Sequence, residues 1–336
     1  MAEIFKNFDR IEDVVFNDIQ VISSPLWSGD VNPLQSFFTS STQQRVAGNY
    51  YTNVYDKNPE TSTNAAVQFA IAYGHRLGSG SAAIAGSDIP SHTPTRAIYS
   101  QYRNILLPPT DTIFTFGGVD SQDIFVIDVA RNRYRQKVDP GNWELRMGRG
   151  SSGGGWATNY MSFIDGSEAN ENPNRSEAGR IYNIYSGSAG VKFNDTVYGL
   201  FYPDMGLLVF AASTLASALT LTLNTANTNA TRNAVLLFNR ISGAGYFAAR
   251  SEEKISCTHY FVRATNREFN YSNNPSFVSG SFGMFAHTSM KGNPSVYITT
   301  IGLYDDLNRL VATAKLNQPM LKTFNREVLI KVKLQH

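Results

Sequence analysis

Residues 296–335, VYITTIGLYDDLNRLVATAKLNQPMLKTFNREVLIKVKLQ, decide the fold class. They open on Val296, Tyr297, Ile298, Thr299, Thr300 and Ile301, β-branched and aromatic side chains that suit a pleated backbone. Asp305-Asp306-Leu307-Asn308 then forms a polar interruption, and a second run follows over residues 309–315. Two strand-like runs about a short Asp/Asn turn predict a β-hairpin. Pro319 has no N–H to donate and is expected to interrupt the ladder. Residues 328–334, VLIKVKL, alternate apolar with basic. Period two puts Val328, Ile330, Val332 and Leu334 on a buried face, with Leu329, Lys331 and Lys333 on the other. The stretch therefore reads as three strands.

The rest of the composition agrees with a folded protein of neutral surface. The chain has 336 residues, enough for two domains or one large one, and 42% of them are hydrophobic. Only 17% are charged, against roughly 25% in typical soluble domains. Gly, Ser, Thr and Asn fill the gap, a surface better suited to being covered by neighbours than to a lone monomer. A net charge of +2 gives no overall basic field for nucleic acid. The single cysteine, Cys257, excludes an internal disulfide and a CxxC zinc site. MAEIFKNFDRIEDVV lacks the apolar core of a signal peptide, and no apolar run approaches the ~20 residues of a membrane span. No membrane anchor is expected.

Working back from the closing strands, four stretches differ in character. Residues 1–58 show no sustained period, and Asn17-Asp18, Ser23-Ser24-Pro25 and Asn32-Pro33 punctuate short apolar pieces such as Ile19-Gln20-Val21-Ile22. We read them as an extended N-terminal arm, able to lend a strand to a neighbouring chain. Residues 59–110 read as a helical segment. Ala66, Phe69, Ala70 and Tyr73 follow i, i+3, i+4, i+7 spacing and predict a helix over residues 64–73. A second helix is expected over residues 95–106, ended by Pro108-Pro109. Residues 111–255 read as a central mainly-β domain, with strands at residues 112–116, 123–129, 180–185, 197–202 and 206–210. Gly117-Gly118 and Pro203-Asp204-Met205 supply turns, and residues 222–234 read as a loop or helix cap. Residues 256–336 form the C-terminal β-domain, with a strand at SCTHYFVRAT. The fold class expected is α+β, mainly β, with β-sandwich or barrel-like domains, a few short helices and extended arms. No internal repeat suggests a solenoid or propeller.

Several phrases carry a resemblance. YITTIGLYDD (297–306), LVATAKLNQPMLKT (310–323) and EVLIKVKL (327–334) resemble the C-terminal segment of virion structural proteins of contractile-tailed bacteriophages, above all the T4-like phages of marine and freshwater bacteria, the cyanophage type. IFVIDVARNRYRQKVDPGNWEL (124–145), VYGLFYPDMGLLVF (197–210) and HYFVRATNREFNYSNNPSF (259–277) resemble successive blocks of the same proteins. The likeness spans residues 95–336 with gaps. It implies a tail-associated structural protein, with the baseplate as its expected place. The partners implied are other virion proteins, with several copies per particle, and the localisation is the virion after synthesis in the host bacterial cytoplasm. Neck, tail-fibre-attachment and head-decoration roles are alternatives of the same class. A carbohydrate-active, tailspike-like hydrolase is the alternative from another class.

Candidate chemistry is sparse. Gly148-Arg149-Gly150-Ser151-Ser152-Gly153 spells G-x-G-x-x-G, but Gly154-Gly155-Trp156 is a poor helix start and no βαβ pattern surrounds it, so a loop is the better reading. His75, His92, His259, His287 and His336 include no i, i+4 pair for a metal. Cys257 and His259 at i, i+2 could form a nucleophile pair, but Tyr260 and Phe261 point to a buried thiol and a satisfied core histidine. Asp305-Asp306, Glu252-Glu253 and Glu168 with Glu171 are paired carboxylates. The first sits in a turn that Asp favours, and the others are read as lying in polar loops. Arg131, Arg133, Arg135 and Lys137 make a basic run around Tyr134. It reads better as a face that meets acidic groups of a neighbour than as a nucleic-acid site. The sequence thus predicts no catalytic, cofactor-binding or metal residues, no cofactor, no enzyme activity and no nucleic-acid partner.

Overall fold

In the computed structural model, residues 6–8, 13–40, 50–83, 92–150, 155–167, 174–176, 178–226, 232–280 and 282–335 are described. The chain runs through β1 (Val14–Pro25), a 3-10 turn at Ser28–Asp30, β2 (Tyr51–Tyr55), β3 (Val67–His75), α1 (Pro94–Leu106), β4 (Phe114–Phe116), β5 (Val119–Ser121) and β6 (Asp123–Val129). It continues with β7 (Lys137–Gly148), β8 (Tyr160–Asp165), β9 (Asn174–Ser176), β10 (Gly179–Ser188), β11 (Val191–Lys192), β12 (Gly199–Tyr202), β13 (Leu207–Ala211), α2 (Ala212–Leu219) and α3 (Arg232–Ala244). The last elements are β14 (Phe247–Ala264), β15 (Val278–Ser279), β16 (Met284–Phe285), β17 (Val296–Tyr304), β18 (Leu310–Lys322) and β19 (Val328–Gln335). The fold is mainly β with a few short helices. Two compact units are present: residues 22–253, and residues 1–21 with 254–336.

The larger unit is built on one antiparallel sheet in the order β14-β7-β8-β10-β12-β13-β6-β3-β2. At its centre β6 alternates between two cores. Phe125, Ile127 and Val129 join a cluster with Leu215, Leu219, Leu237 and Ile241 of α2 and α3. Ile124 and Val126 join a second cluster with Tyr99 and Leu106 of α1 and Phe114 and Phe116 of β4. A strand covered on both faces has no polar side to show, which is why DIFVIDV is a nearly continuous apolar run.

The sheet is open rather than barrel-like, because β14 and β2 do not pair with each other. Residues 26–38 bridge its two ends instead. Leu34 exchanges backbone hydrogen bonds with Phe247 of β14 at 2.9 and 3.0 Å, and Phe38 exchanges them with Tyr55 of β2 at 3.0 and 2.8 Å. Trp27 fills the space behind this bridge. Its ring centroid lies 5.9 Å from Phe69 of β3 and 4.7 Å from Phe247, and its Nε1–H donates to the Phe247 carbonyl at 2.7 Å. The arm expected over residues 1–58 is therefore not uniformly available to other chains. Leu26, Trp27, Leu34, Phe37 and Val54 are buried in the chain's own core.

The helix expected at residues 64–73 is a correction. These residues enter β3, whose Val67, Phe69, Ile71 and Tyr73 pair with neighbours β2 and β6. The apolar positions satisfied both periods, and β-branched and aromatic side chains together with burial on both faces favour the strand. The second helix, α1, agrees with its expected limits. Thr93 caps it, accepting from the Arg96 N–H at 3.3 Å, and Pro94 occupies the first turn. Gly117 and Gly118 have φ of 56° and 83° and form the two-residue turn of the β4–β5 hairpin, where only glycine takes that backbone readily.

The smaller unit carries the three predicted closing strands. β17 and β18 form the hairpin, and Asp305 shapes its turn by accepting from the N–H groups of Leu307 at 3.0 Å and Arg309 at 2.8 Å. The ladder jumps at Pro319 as expected. Ile298 pairs with Met320 and Thr300 with Lys315, so residues 316–319 loop out opposite Thr299 alone. β19 pairs antiparallel with residues 257–264 of β14. Val328, Ile330 and Val332 are buried with Ala264, and Ile298, Ile301, Leu303 and Met320 of the hairpin pack on them. Leu329, Lys331 and Lys333 are exposed.

One titration follows from burial in the larger unit. Asp128 of β6 pairs in register with Ala70 and Leu207, and desolvation pushes its carboxyl up to about 6. A folded-state value above the unfolded one means that the contribution is full below about pH 4 and is lost as pH rises through 6. A tenfold change in proton affinity is worth about 1.4 kcal/mol, so Asp128→Asn is expected to stabilise the fold at pH 7.5 by about 2–3 kcal/mol and to be near neutral at pH 4. Urea unfolding of both proteins at the two pH values measures this. An equal difference at both would remove Asp128 as its source.

Candidate functional site

The glycine-rich segment after β7 is held as structure. In its described part, Arg149 N–H donates to the Asn159 carbonyl at 2.8 Å and Gly150 N–H to the Leu219 carbonyl at 3.0 Å. Its carbonyls turn to Arg240 of α3. That guanidinium donates to Gly148 at 3.1 Å, to Gly150, and to Thr220 at 3.2 Å, and lies 4.6 Å over the Trp156 ring. A phosphate site needs free amides pointing outward, and here a cation meets carbonyls instead. Glycine is required at 148 because a Cβ there would overlap the Trp156 side chain. Residues 151–154 lie outside the described residues.

Two of the four cations in the basic run meet acidic groups within the chain, and the other two meet neutral ones. Arg131 lies 4.6 Å over the Tyr134 ring and donates to its carbonyl at 2.6 Å. Arg133 donates to Ser28 and to Asn132. Arg135 pairs with Glu253 at 2.8 Å and Lys137 with Glu252 at 2.8 Å. Glu252 and Glu253 thus stand on β14 and not in a loop. Lys137 and Glu252 are both buried, and Asp139 nearby accepts from Ser23 at 3.0 Å and Asn142 at 2.9 Å. Burial, with Glu252 adding to it, holds the Asp139 carboxyl above the usual carboxylate range. Glu168 and Glu171 lie outside the described residues, as does His336.

Cys257 and His259 are buried, as expected, and share a face of β14. That face is the lysine side and not the core side, since Cys257 pairs with Gln335, His259 with Lys333 and Phe261 with Lys331. Phe16 of β1 covers it. Its ring stacks on His259 at 4.6 Å and on Phe261 at 5.8 Å, and Lys331 lies 5.4 Å over the Phe261 ring. The expected satisfied core histidine is a correction: His259 lies on the lysine side, and its Nδ1 has no hydrogen-bond partner among the described residues. His75 stands at the end of β3, where its Nδ1 accepts from the Leu77 N–H at 3.1 Å. Among the described residues, no three of His, Cys, Asp and Glu come together to hold a metal ion. No helix of the described residues is long and apolar enough to cross a membrane.

What the smaller unit does present is apolar surface on extended backbone. On β1, Val15, Phe16, Ile19 and Val21 are exposed, Ile19 at 64%. On the hairpin, Tyr297, Tyr304, Leu307, Leu310 and Val311 are exposed, Val311 at 66%. Gly302 leaves room for the Tyr304 ring, which lies 2.8 Å from where a Cβ would stand. Arg240 and the pairing of Lys137 with Glu252 were not singled out by sequence reasoning, and the apolar piece at residues 19–22 was read only as part of an arm able to lend a strand to a neighbour. The partners of Arg240 and Lys137 lie far along the chain, where no local pattern points to them. The chain matches no family model, no curated protein and no solved structure. The function must be read from these surfaces.

Proposed function

We propose that the protein is a structural subunit of a bacteriophage virion, acting by protein–protein contact as a wedge or peripheral component of the tail baseplate. The observation that carries this is the exposed apolar side chains on β1 and on the β17–β18 hairpin. Apolar patches on extended backbone mark contact surfaces. The low charge content fits a chain whose faces are covered in an assembly. The phrase-level likeness of residues 95–336 to virion proteins supplies the class, and we read the smaller unit as a β-sandwich with the hairpin as its second layer. Neck, fibre-attachment and head-decoration places use the same chemistry. A hydrolase is disfavoured because, among the described residues, Glu252 and Glu253 are engaged by cations and Asp305 by its own turn.

The test is cross-linking mass spectrometry on purified particles, fractionated into heads and tails. The chain is expected in the tail fraction, linked to other virion proteins through β1 or the hairpin. A chain abundant in infected cells but absent from particles would overturn the reading. Purified protein is expected to show no saturable turnover of polysaccharide, peptide or nucleotide. Turnover abolished by one Asp, Glu or His substitution would replace this proposal with an enzyme.

A further inference from the structure

Among the described residues, β1 is a long strand edge that lacks the usual protection. Exposed edges are usually kept from pairing by shortness, lysine, proline, a bulge or a covering segment. β2 is five residues long and is capped by the Phe38–Tyr55 bridge. β19 carries Lys331 and Lys333, both exposed. β1 runs for 12 residues with no lysine, its proline stands at the very end, and among the described residues no strand lies on its outer side. Over residues 14–21 its only charge is Asp18.

The two faces of this segment can be assigned. Phe16 stacks on His259, and Gln20 accepts from Lys333 at 2.6 Å, so Phe16, Asp18 and Gln20 lie on the lysine side. Asn17 contacts Thr258 at 3.0 Å, and Thr258 pairs with Leu334, so Val15, Asn17, Ile19 and Val21 lie on the core side. Val15, Ile19 and Val21 are the exposed continuation of that apolar face.

We propose that β1 pairs antiparallel with β1 of a second copy of this chain, about a two-fold axis passing through Ile19. The occupant follows from self-complementarity. A two-fold axis normal to the sheet keeps each face on its own side only when residues of like parity meet. Centring on Asp18 would set two carboxylates directly opposite each other, which destabilises a strand pair. Centring on Ile19 sets Ile19 against Ile19 and Asn17 against Val21 on the core side, and Asp18 against Gln20 on the lysine side. Both apolar rows then join into one surface and no like charges meet. A partner selected by charge has little to grip on a segment with one carboxylate. One strand pair buries less than the roughly 1,200 Å² of a stable free interface, so the dimer is weak alone and is reinforced by repetition in an assembly. The inference deepens the reading of β1 as a contact surface and does not depend on the particle being a virion.

Sedimentation equilibrium of the full chain is expected to show reversible dimerisation in the micromolar range. Ile19→Lys should abolish it while leaving the thermal melt unchanged, because the side chain is exposed. Ile19→Cys should give a cross-linked dimer on mild oxidation. Val15→Cys, on the same face but far from its own copy in this register, should not, and native Cys257 is buried. A monomer at every soluble concentration, a dimer that survives Ile19→Lys, or equal cross-linking through Val15→Cys would overturn the pairing. A chain found in particles as isolated monomers would overturn the pairing alone. A self-pairing chain absent from particles would support it and overturn only the virion assignment.

Discussion

Trp27→Ala is expected to lower the stability of the protein by about 3–5 kcal/mol, the range for removing a large aromatic side chain from a packed core. The indole is 2% exposed and stands between Phe69 and Phe247, themselves 5.5 Å apart, so truncation opens a cavity where two distant strands of the sheet meet. It also leaves the Phe247 carbonyl without the 2.7 Å donor that faces it. Trp27→Phe should retain most of the packing and lose chiefly that hydrogen bond, at about 1–2 kcal/mol. Urea unfolding of the two variants separates these terms. If Trp27→Ala lowered stability by no more than an exposed substitution, the indole would be a passenger, and the Leu34–Phe247 and Phe38–Tyr55 bonds would hold the ends of the sheet without it.

That arm was not legible in the sequence because its partners are remote. Nothing local to Leu26, Trp27 or Leu34 indicates that they face Phe247, and a segment without a period looks the same whether it packs inward or reaches out. The same limit hid the partners of Arg135 and Lys137, which stand more than a hundred residues away on β14. Two-sided burial caused the error at β3. Where both faces are apolar, period two disappears, and the remaining spacing of Ala66, Phe69, Ala70 and Tyr73 imitates a helix. One-sided burial gave the opposite result. In β19 one face meets the hairpin and the other carries lysines, so the alternation of Val328, Ile330 and Val332 with Leu329, Lys331 and Lys333 survives in the sequence and fixes the register. The turn at Asp305 and the break at Pro319 were readable because each is set by a single side chain acting on its own backbone. The candidate surface was half legible. The extended character of the arm and its apolar piece at residues 19–22 could be read, but neither the faces of β1 nor its lack of a covering strand among the described residues could.

The register of β19 gives the second large effect. Val332 is 5% exposed, pairs with Tyr260 on the core side of β14, and packs with Val328, Ile330 and Ala264. Val332→Asp puts a carboxylate among them with no donor to meet it, so the expected loss at pH 7 is on the order of 4 kcal/mol. Burial would raise the pKa of the introduced carboxyl. It then takes up a proton as pH falls, and the loss should be smaller at pH 4 than at pH 7. Lys333→Ala, one residue along, removes an exposed side chain that donates a 2.6 Å hydrogen bond to Gln20, and should stay within about 0.5 kcal/mol of the parent. The pair tests the strand directly, because a slip of one residue exchanges every inward and outward side chain. Denaturant unfolding with hydrogen exchange over residues 254–335 is the measurement. Lost protection in Lys333→Ala but not in Val332→Asp would mean that the lysine face is the buried one. The pairing of His259 with Lys333 would then be wrong, and with it the assignment of Ile19 to the face on which two copies of β1 are expected to meet.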